Sequence, residues 1–136
     1  MKTNLVFKKI LMSILVVLTA SISIAQKSQI EKANKEFDKY SYIDAREIYL
    51  KIVEDGYESA QVFQKLGDTY YYNSDYPEAE KWYKKLINQY PNEAEPIYYY
   101  RTAQCLKSLG RYDEADQMME DYAKVGGSGI ILNNYK

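Results

Sequence analysis

The chain has 136 residues, of which 46% are hydrophobic and 27% charged, and its formal net charge is −1. This length allows one modest domain. With no histidine, a single cysteine (Cys105) and no glycine-rich phosphate loop, the sequence lacks a disulfide framework and the usual metal, nucleotide and nucleophile motifs. The composition therefore predicts a protein that is not an enzyme and needs no cofactor, with Cys105 as a buried, unreactive thiol.

Residues 1–25 have the pattern of a secretory signal peptide. Three lysines among the first nine residues precede an apolar stretch at 10–20, and Ser23-Ile24-Ala25 places small residues at a cleavage site. A membrane anchor is the alternative, but the apolar run reaches only about a dozen of the roughly 20 residues that a span needs. We expect cleavage before Gln26, which leaves no membrane span and a net charge of about −4 from 15 basic and 19 acidic residues. Nucleic acid is therefore not an expected partner.

Residues 26–59 have the pattern of a helical hairpin. The second helix carries small and large apolar residues at helical spacing: Tyr42, Ala45, Tyr49 and Ile52. The first helix has a narrower apolar stripe: Ile30, Ala33 and Phe37. Its polar residues Gln29, Lys32 and Glu36 indicate a terminal unit with one solvated face. We expect Ser41 and Asp44 to cap the second helix, and Asp55-Gly56 to turn the chain.

Residues 60–93 carry the clearest pattern. Apolar and small residues recur at i, i+3, i+4 and i+7, with one-residue slack, in two stretches: Phe63, Leu66, Gly67 and Tyr70, then Tyr76, Ala79, Tyr83 and Leu86. Each stretch predicts an amphipathic helix of about four turns. Gly67 and Ala79 lack bulk, so two antiparallel helices can approach closely there. Asn73-Ser74-Asp75 separates the helices, and Asp75 with Glu78 has the spacing of a capping box.

Residues 96–125 form a third unit, displaced by an insertion because Ala115 follows Ala79 by 36 residues. Its pattern residues are Tyr99, Ala103, Leu106, Gly110, Tyr112, Ala115, Met119 and Tyr122. Thr102 is off pattern, Gly110-Arg111 makes the turn, and the second helix should end near Lys124. The carboxylates of Asp113, Glu114 and Asp116 could suggest cation binding, but a solvated face at a helix N-terminus explains them better.

Residues 126–136 are predicted to be a Gly-rich tail or linker. Gly126-Gly127-Ser128-Gly129 cannot continue a helix, and Ile130-Ile131-Leu132 is β-like. No capping helix is expected after the third unit, so part of its apolar stripe should stay uncovered. We therefore expect the chain to be the front of a larger protein or to work when docked to one, with a frayed tail as the alternative.

Taken together, these units resemble the tetratricopeptide repeat. In the 34-residue unit that starts at Ala60, the family's pattern is matched at seven places: Phe63, Leu66, Gly67, Tyr70, Ala79, Tyr83 and Pro91. The resemblance implies an all-α fold in which three helix-turn-helix repeats (26–59, 60–93 and 96–125) form a short right-handed α-solenoid over residues 26–125. The repeat-packing positions are Ala33, Ala45, Gly67, Ala79, Ala103 and Ala115. The repeats also assign eight of the sixteen tyrosines to packing: Tyr42, Tyr49, Tyr70, Tyr76, Tyr83, Tyr99, Tyr112 and Tyr122.

The resemblance also implies where a partner would bind. In this family the first helix of each repeat lines a concave surface. The candidate groove residues at those positions are Asn34, Phe37, Gln64, Asp68, Tyr71, Tyr72, Ile97, Tyr100, Gln104 and Lys107. Aromatic side chains interleaved with amides suit an extended peptide or a partner helix. The lysine–asparagine clamp with which some members hold a peptide carboxylate is not matched.

A second resemblance concerns the setting of the repeats. A signal ending in Ala-Gln, then Tyr-x-Asp-Ala-x-x-x-Tyr and Tyr-x-Glu-Ala-x-x-x-Tyr, is similar to the amino-terminal region of Bacteroidota cell-envelope proteins. In those proteins the repeats precede a β-propeller and an OmpA-type peptidoglycan-binding domain, and some act in type IX secretion. The resemblance implies an exported scaffold in the periplasm or on the periplasmic face of the outer membrane, with a protein partner in the envelope.

Two alternatives to a free protein-binding groove remain open at this point. The repeats could be a structural spacer, or the amino-terminal portion of a larger OmpA-type protein. They could also bind peptidoglycan or another carbohydrate, with Tyr71, Tyr72 and Tyr100 as stacking platforms.

Overall fold

The computed structural model describes the backbone of residues 2–135 and the side chains of residues 4–16 and 24–135. This part of the chain forms seven α-helices and no strand. The helices are α1 (Lys2–Asp38), α2 (Tyr42–Glu54), α3 (Ala60–Tyr72), α4 (Tyr76–Gln89), α5 (Pro96–Ser108), α6 (Tyr112–Lys124) and α7 (Gly129–Tyr135). The predicted all-α class is confirmed.

Six of these helices form three antiparallel hairpins that stack in chain order. α1 packs on α2, α3 on α4 and α5 on α6, and the second helix of each of the first two hairpins packs on the first helix of the next. The second hairpin begins with α3 at Ala60 and the third with α5 at Pro96. Each repeat packs on the next repeat along the chain, which is the mark of a solenoid. The expected α-solenoid is confirmed.

The turns inside the three hairpins share one conformation. The residue two places before each second helix has a positive φ: Tyr40 (64°), Ser74 (60°) and Gly110 (74°). Ser41 and Asp75 occupy the predicted N-cap positions, but neither side chain makes a capping hydrogen bond. Their ψ values of 64° and 72° lie outside the extended region that aims a capping side chain at the helix. The predicted cap by the Ser41 side chain and the predicted capping box at Asp75 are therefore wrong.

The small repeat positions lie where helices meet. The five alanines have no exposed surface: Ala33, Ala45, Ala79, Ala103 and Ala115. Gly67 is buried, and a methyl group added to it would overlap the ring of Tyr83 in α4. Thr102, the residue off pattern, is fully buried and donates its hydroxyl to the carbonyl of Tyr98 at 2.6 Å.

The eight tyrosines expected to pack fall into three groups by exposure. Tyr49, Tyr83, Tyr99 and Tyr122 are buried, and Tyr42, Tyr70 and Tyr76 are half-buried. Tyr112 is 62% exposed, so the expectation is wrong there. Its equivalent in the first repeat, Tyr42, stacks on Tyr72 of the next repeat with ring centroids 5.0 Å apart. No complete repeat follows Tyr112 in the described chain, so it has no such neighbour.

The carboxyl-terminal segment differs from the prediction. Residues 130–132 are helical instead of β-like, and a helix does follow the third repeat. The chain reverses at Gly126 (φ 88°), and the amide of Ser128 donates to the hydroxyl of Tyr122 at 2.7 Å. This reversal brings α7 back onto the third repeat, where Ile131, Leu132 and Tyr135 pack against the core. Tertiary packing thus overrides a weak local β preference.

The first repeat begins within a longer helix, because α1 continues without a break from Lys2 to Asp38. The side chains of residues 4–16 are all exposed. In the described part of the chain, no helix combines the length and the apolar character that crossing a membrane requires.

Gly67→Ala should destabilise the fold. The added methyl group meets the fully buried ring of Tyr83, and overpacking of this kind costs about 1–3 kcal/mol. This exceeds the gain of up to about 1 kcal/mol in helix propensity. The matched control is Gly129→Ala, because a methyl group there meets no atom within 4 Å. Thermal melts followed by circular dichroism check this, and equal midpoints for Gly67→Ala and wild type would contradict the close approach of α3 and α4.

Candidate partner-binding groove

The ten candidate groove residues lie on the first helices α1, α3 and α5. Their exposure varies along the row. Asp68 is buried, Tyr72 and Lys107 are exposed, and the others are half-buried: Asn34, Phe37, Gln64, Tyr71, Ile97, Tyr100 and Gln104. The ten candidates therefore include residues at the protein surface and residues buried directly beneath that surface.

An ion pair occupies the centre of this row. The Asp68 carboxylate accepts hydrogen bonds from Nη1 of Arg101 at 2.5 Å and from the hydroxyl of Tyr83 at 2.7 Å. The other terminal nitrogen of Arg101 donates to the hydroxyl of Tyr72 at 3.0 Å. The guanidinium carbon also lies 5.4 Å from the ring centre of Tyr71. One arginine thus joins the second and third repeats and positions two aromatic side chains.

A second connection between these repeats runs through Gln104. Its side-chain oxygen accepts a hydrogen bond from the Tyr71 hydroxyl at 2.6 Å, and its nitrogen donates to the Tyr100 hydroxyl at 2.9 Å. Tyr71 also packs against Tyr83, with the two rings tilted and their centroids 6.2 Å apart, so it contacts the core as well as the groove. Replacing Tyr71 would therefore affect both stability and the groove.

The repeats use the same internal bond twice. The Tyr49 hydroxyl donates to the side-chain oxygen of Asn34 at 2.5 Å, just as Tyr83 donates to Asp68, and in each case 15 residues separate the partners. In the third repeat Met119 stands at the tyrosine position. Because Met119 has no hydroxyl group to donate, the side-chain oxygen of Gln104 instead accepts a hydrogen bond from Tyr71 of the preceding repeat.

An aromatic cluster lies beside the ion pair, at the turn end of the first two hairpins. It consists of Phe37, Tyr40, Tyr42 and Tyr72. The Tyr42 ring lies 5.2 Å from Phe37 and 6.1 Å from Tyr40. The ammonium group of Lys65 sits 3.7 Å from the ring centre of Phe37, a cation–π contact. Tyr40 is 78% exposed, so this cluster presents ring surface to solvent.

The charges in the groove are strongly coupled. Burial raises the pKa of Asp68, and the Arg101 guanidinium and the Tyr83 hydroxyl oppose that rise. Burial lowers the pKa of Arg101, but the Asp68 carboxylate together with Tyr83 and Tyr72 outweighs this effect, and the net shift is upward. Burial and Asp68 together raise the pKa of Tyr83, which keeps its hydroxyl a donor.

Three candidates are engaged away from this centre. Gln64 donates to the backbone carbonyl of Glu93 at 3.2 Å. The ammonium group of Lys107 lies 4.8 Å from the ring centre of Tyr135 in α7. Ile97 packs against the core. None of these three has a polar link to Asp68 or Arg101 among the described contacts.

Arg101 is the groove residue that the sequence did not reveal. It stands at the sixth position of its repeat, outside the concave positions of the family pattern. The signal that could have found it is its distance of 33 residues from Asp68, one repeat length less one.

Cys105 is buried, as expected of an unreactive thiol, and burial raises its pKa to about 12. Within the described residues, no group of acidic, cysteine or histidine side chains could hold a metal ion.

A family comparison assigns the repeats. The tetratricopeptide repeat model matches residues 32–94 and 65–122, and together these matches span 32–122. The chain therefore belongs to the tetratricopeptide repeat family.

Two known proteins show more distant likeness. DnaJ homolog subfamily C member 7 of Mus musculus is 42% identical over 62 residues, which are 46% of this chain and 12% of the mouse protein. A crystal structure of PcrH in complex with the chaperone binding region of PopB superposes with a TM-score of 0.65 at 19% identity, covering 74% of this chain and 80% of that one. At that identity the likeness establishes the shared fold alone.

Arg101→Leu should destabilise the protein by about 3–5 kcal/mol at neutral pH, because it leaves the buried Asp68 carboxylate without its cation. Burial already places the pKa of Asp68 above its ordinary value. Stability in the variant should therefore fall as the pH rises through that pKa, and the loss should shrink in acid, where the carboxyl is neutral. Urea unfolding at several pH values measures this. Adding Asp68→Asn to the variant should recover part of the lost stability. A loss of stability that depends neither on pH nor on the added Asp68→Asn change would contradict the buried pair.

Proposed function

We propose that this chain is a non-enzymatic interaction module that holds a segment of another protein in its concave groove. The observation that carries the proposal is the fixed arrangement of Tyr72, Arg101 and Gln104 by hydrogen bonds between α3 and α5. Side chains that are ordered before binding lose little conformational entropy when a partner arrives. Exposed tyrosines and a central arginine are also the residue types that dominate binding energy at interfaces.

The comparisons support this reading by analogy. In the PcrH structure, a helical protein of similar fold holds the chaperone binding region of PopB. The mouse relative carries the name of a DnaJ homolog, although the present chain spans only 12% of its length. We infer a related use of the groove here, with a peptide segment or a helix as the ligand.

We further propose that the protein is exported to the cell envelope. The basic start, apolar stretch and small residues of 1–25 support a cleaved signal peptide, and the side chains of residues 4–16 are exposed. More specifically, we propose that the repeats act in the periplasm as the scaffold, spacer or amino-terminal portion of an OmpA-type envelope protein of Bacteroidota.

Cleavage before Gln26 is a direct prediction of this proposal. The chain, expressed with a carboxyl-terminal tag in a Gram-negative host, should be recovered from the periplasmic fraction with its first 25 residues missing. Intact-mass measurement of the purified protein identifies the first residue. Replacing Ala25 with a bulky residue should block processing, and an uncleaved wild-type chain in the cytoplasmic fraction would contradict export.

The groove is tested by comparing a groove variant with a control variant outside the groove. Tyr72→Ala should weaken capture of a partner from envelope extract at least tenfold, because it removes an exposed ring and the acceptor of Arg101. Ile43→Ala, which removes an exposed apolar side chain of α2 outside the candidate groove, should leave capture unchanged. Capture is measured by affinity isolation and quantitative mass spectrometry, with circular dichroism to verify that both variants fold.

The same variants separate the alternatives. A spacer that binds nothing freely would give no protein enriched by wild type over Tyr72→Ala. A peptidoglycan binder would instead sediment with purified cell wall, and would do so less after the Tyr72→Ala change. Either result would contradict a protein segment as the groove's ligand.

A further inference from the structure

A large cavity lies at the carboxyl-terminal end of the solenoid, away from the ion pair of the groove. Its volume is about 790 Å³, within the range of roughly 300–1,000 Å³ that ligand pockets occupy. The face of α6 supplies five of its lining side chains, and α7 closes one side. Those five α6 residues are Tyr112, Asp116, Met119, Glu120 and Ala123.

This face of α6 corresponds to a face that is covered in the preceding repeat. Moving back 36 residues, the offset between the repeats, gives Tyr76, Glu80, Tyr83, Lys84 and Ile87 of α4. Tyr83 lies there with its ring 5.5 Å from Tyr98 of α5, and Glu80 accepts a hydrogen bond from Arg111 of the third repeat at 2.9 Å. The cavity is therefore an interface between repeats whose second partner is incomplete.

The helix α7 fills only part of that interface. It begins 33 residues after the start of α5, where a fourth repeat would begin, but it has 7 residues against 13 in each of α3 and α5. Tyr112 consequently remains 62% exposed, whereas its equivalents Tyr42 and Tyr76 are half-buried.

The charges around the cavity indicate what kind of helix would fit. In α4 the acidic Glu80 is followed one turn later by the basic Lys84, and the two pair at 2.7 Å. The equivalent residues of α6, Asp116 and Glu120, are both acidic and both exposed. Lys107 is the single basic side chain among the residues that line the cavity. Two exposed carboxylates beside the apolar Met119 complement a helix that carries basic residues beside an apolar stripe.

We propose that this face of α6 is a second interaction surface, and that it accepts a basic amphipathic helix of a partner protein in the place of a fourth repeat. The apolar stripe of that helix packs on the exposed Tyr112 and Ala123, and its basic residues meet Asp116 and Glu120. The cavity shares Lys107 with the groove, but the face of α6 lies outside the first helices that form the groove.

The test uses the protein as cells produce it and a labelled 13-residue helical peptide, with leucine and alanine on one face flanked by lysine and arginine. The matched control peptide has glutamate in place of the basic residues. Fluorescence anisotropy should show binding of the basic peptide only. The double change Asp116→Lys and Glu120→Lys should weaken it at least tenfold. Asp44→Lys with Glu47→Lys, the same charge change on the distant helix α2, should not.

The location of binding is read from the methyl signals of Met118 and Met119 in methionine-labelled protein. These should shift on addition of the basic peptide and should not shift in the α6 double variant. If that variant fails to fold, Asp116→Asn with Glu120→Gln replaces it and should weaken binding in the same direction. Equal binding of the acidic peptide, retained binding after charge reversal, or unchanged Met118 and Met119 signals when the basic peptide binds would overturn the proposal. Sedimentation that shows self-association abolished by the α6 changes would overturn it too, in favour of a second copy.

Discussion

The close approach of α3 and α4 at Gly67 fixes the geometry on which the second repeat depends. With no side chain at Gly67, the ring of Tyr83 lies directly against the backbone of α3. That position carries the Tyr83 hydroxyl to the Asp68 carboxylate at 2.7 Å. Asp68 then holds Arg101, and Arg101 holds Tyr72 at the surface. A packing constraint in the interior is thereby transmitted to the groove through three hydrogen bonds.

This arrangement limits what the groove can offer a partner. The Asp68 carboxylate and the guanidinium of Arg101 are already paired, and burial makes it costly to separate them. A bound segment therefore meets ring faces and hydroxyl groups more readily than free charges. The aromatic cluster of Phe37, Tyr40, Tyr42 and Tyr72 provides such a surface next to the ion pair. Recognition by shape and stacking, with few formal charges, is the consistent expectation.

The two ends of the solenoid differ in how their exposed faces are managed. At the first repeat, polar residues replace apolar ones along α1, and Gln29 and Lys32 are exposed as a terminal repeat requires. At the last repeat, Tyr112 keeps the residue type of an internal repeat without the neighbour that would cover it. The short α7 covers Met119 but leaves an open cavity beside it. The third repeat thus leaves Tyr112 exposed at a position where its equivalent in the first repeat, Tyr42, is half-buried.

The sequence by itself determined the repeat units, their helices and the small residues at the helix contacts, because a 34-residue period and a helical apolar stripe are local patterns that survive without coordinates. Only the tertiary structure decided the role of Arg101, whose partner Asp68 is 33 residues away in another repeat. It also decided the conformation of residues 130–132, whose local preference is extended but which form a helix whose Ile131 and Leu132 pack against the core. Pairings across repeats and the covering of a terminal face depend on how the units stack in space, and a one-dimensional pattern does not contain that information.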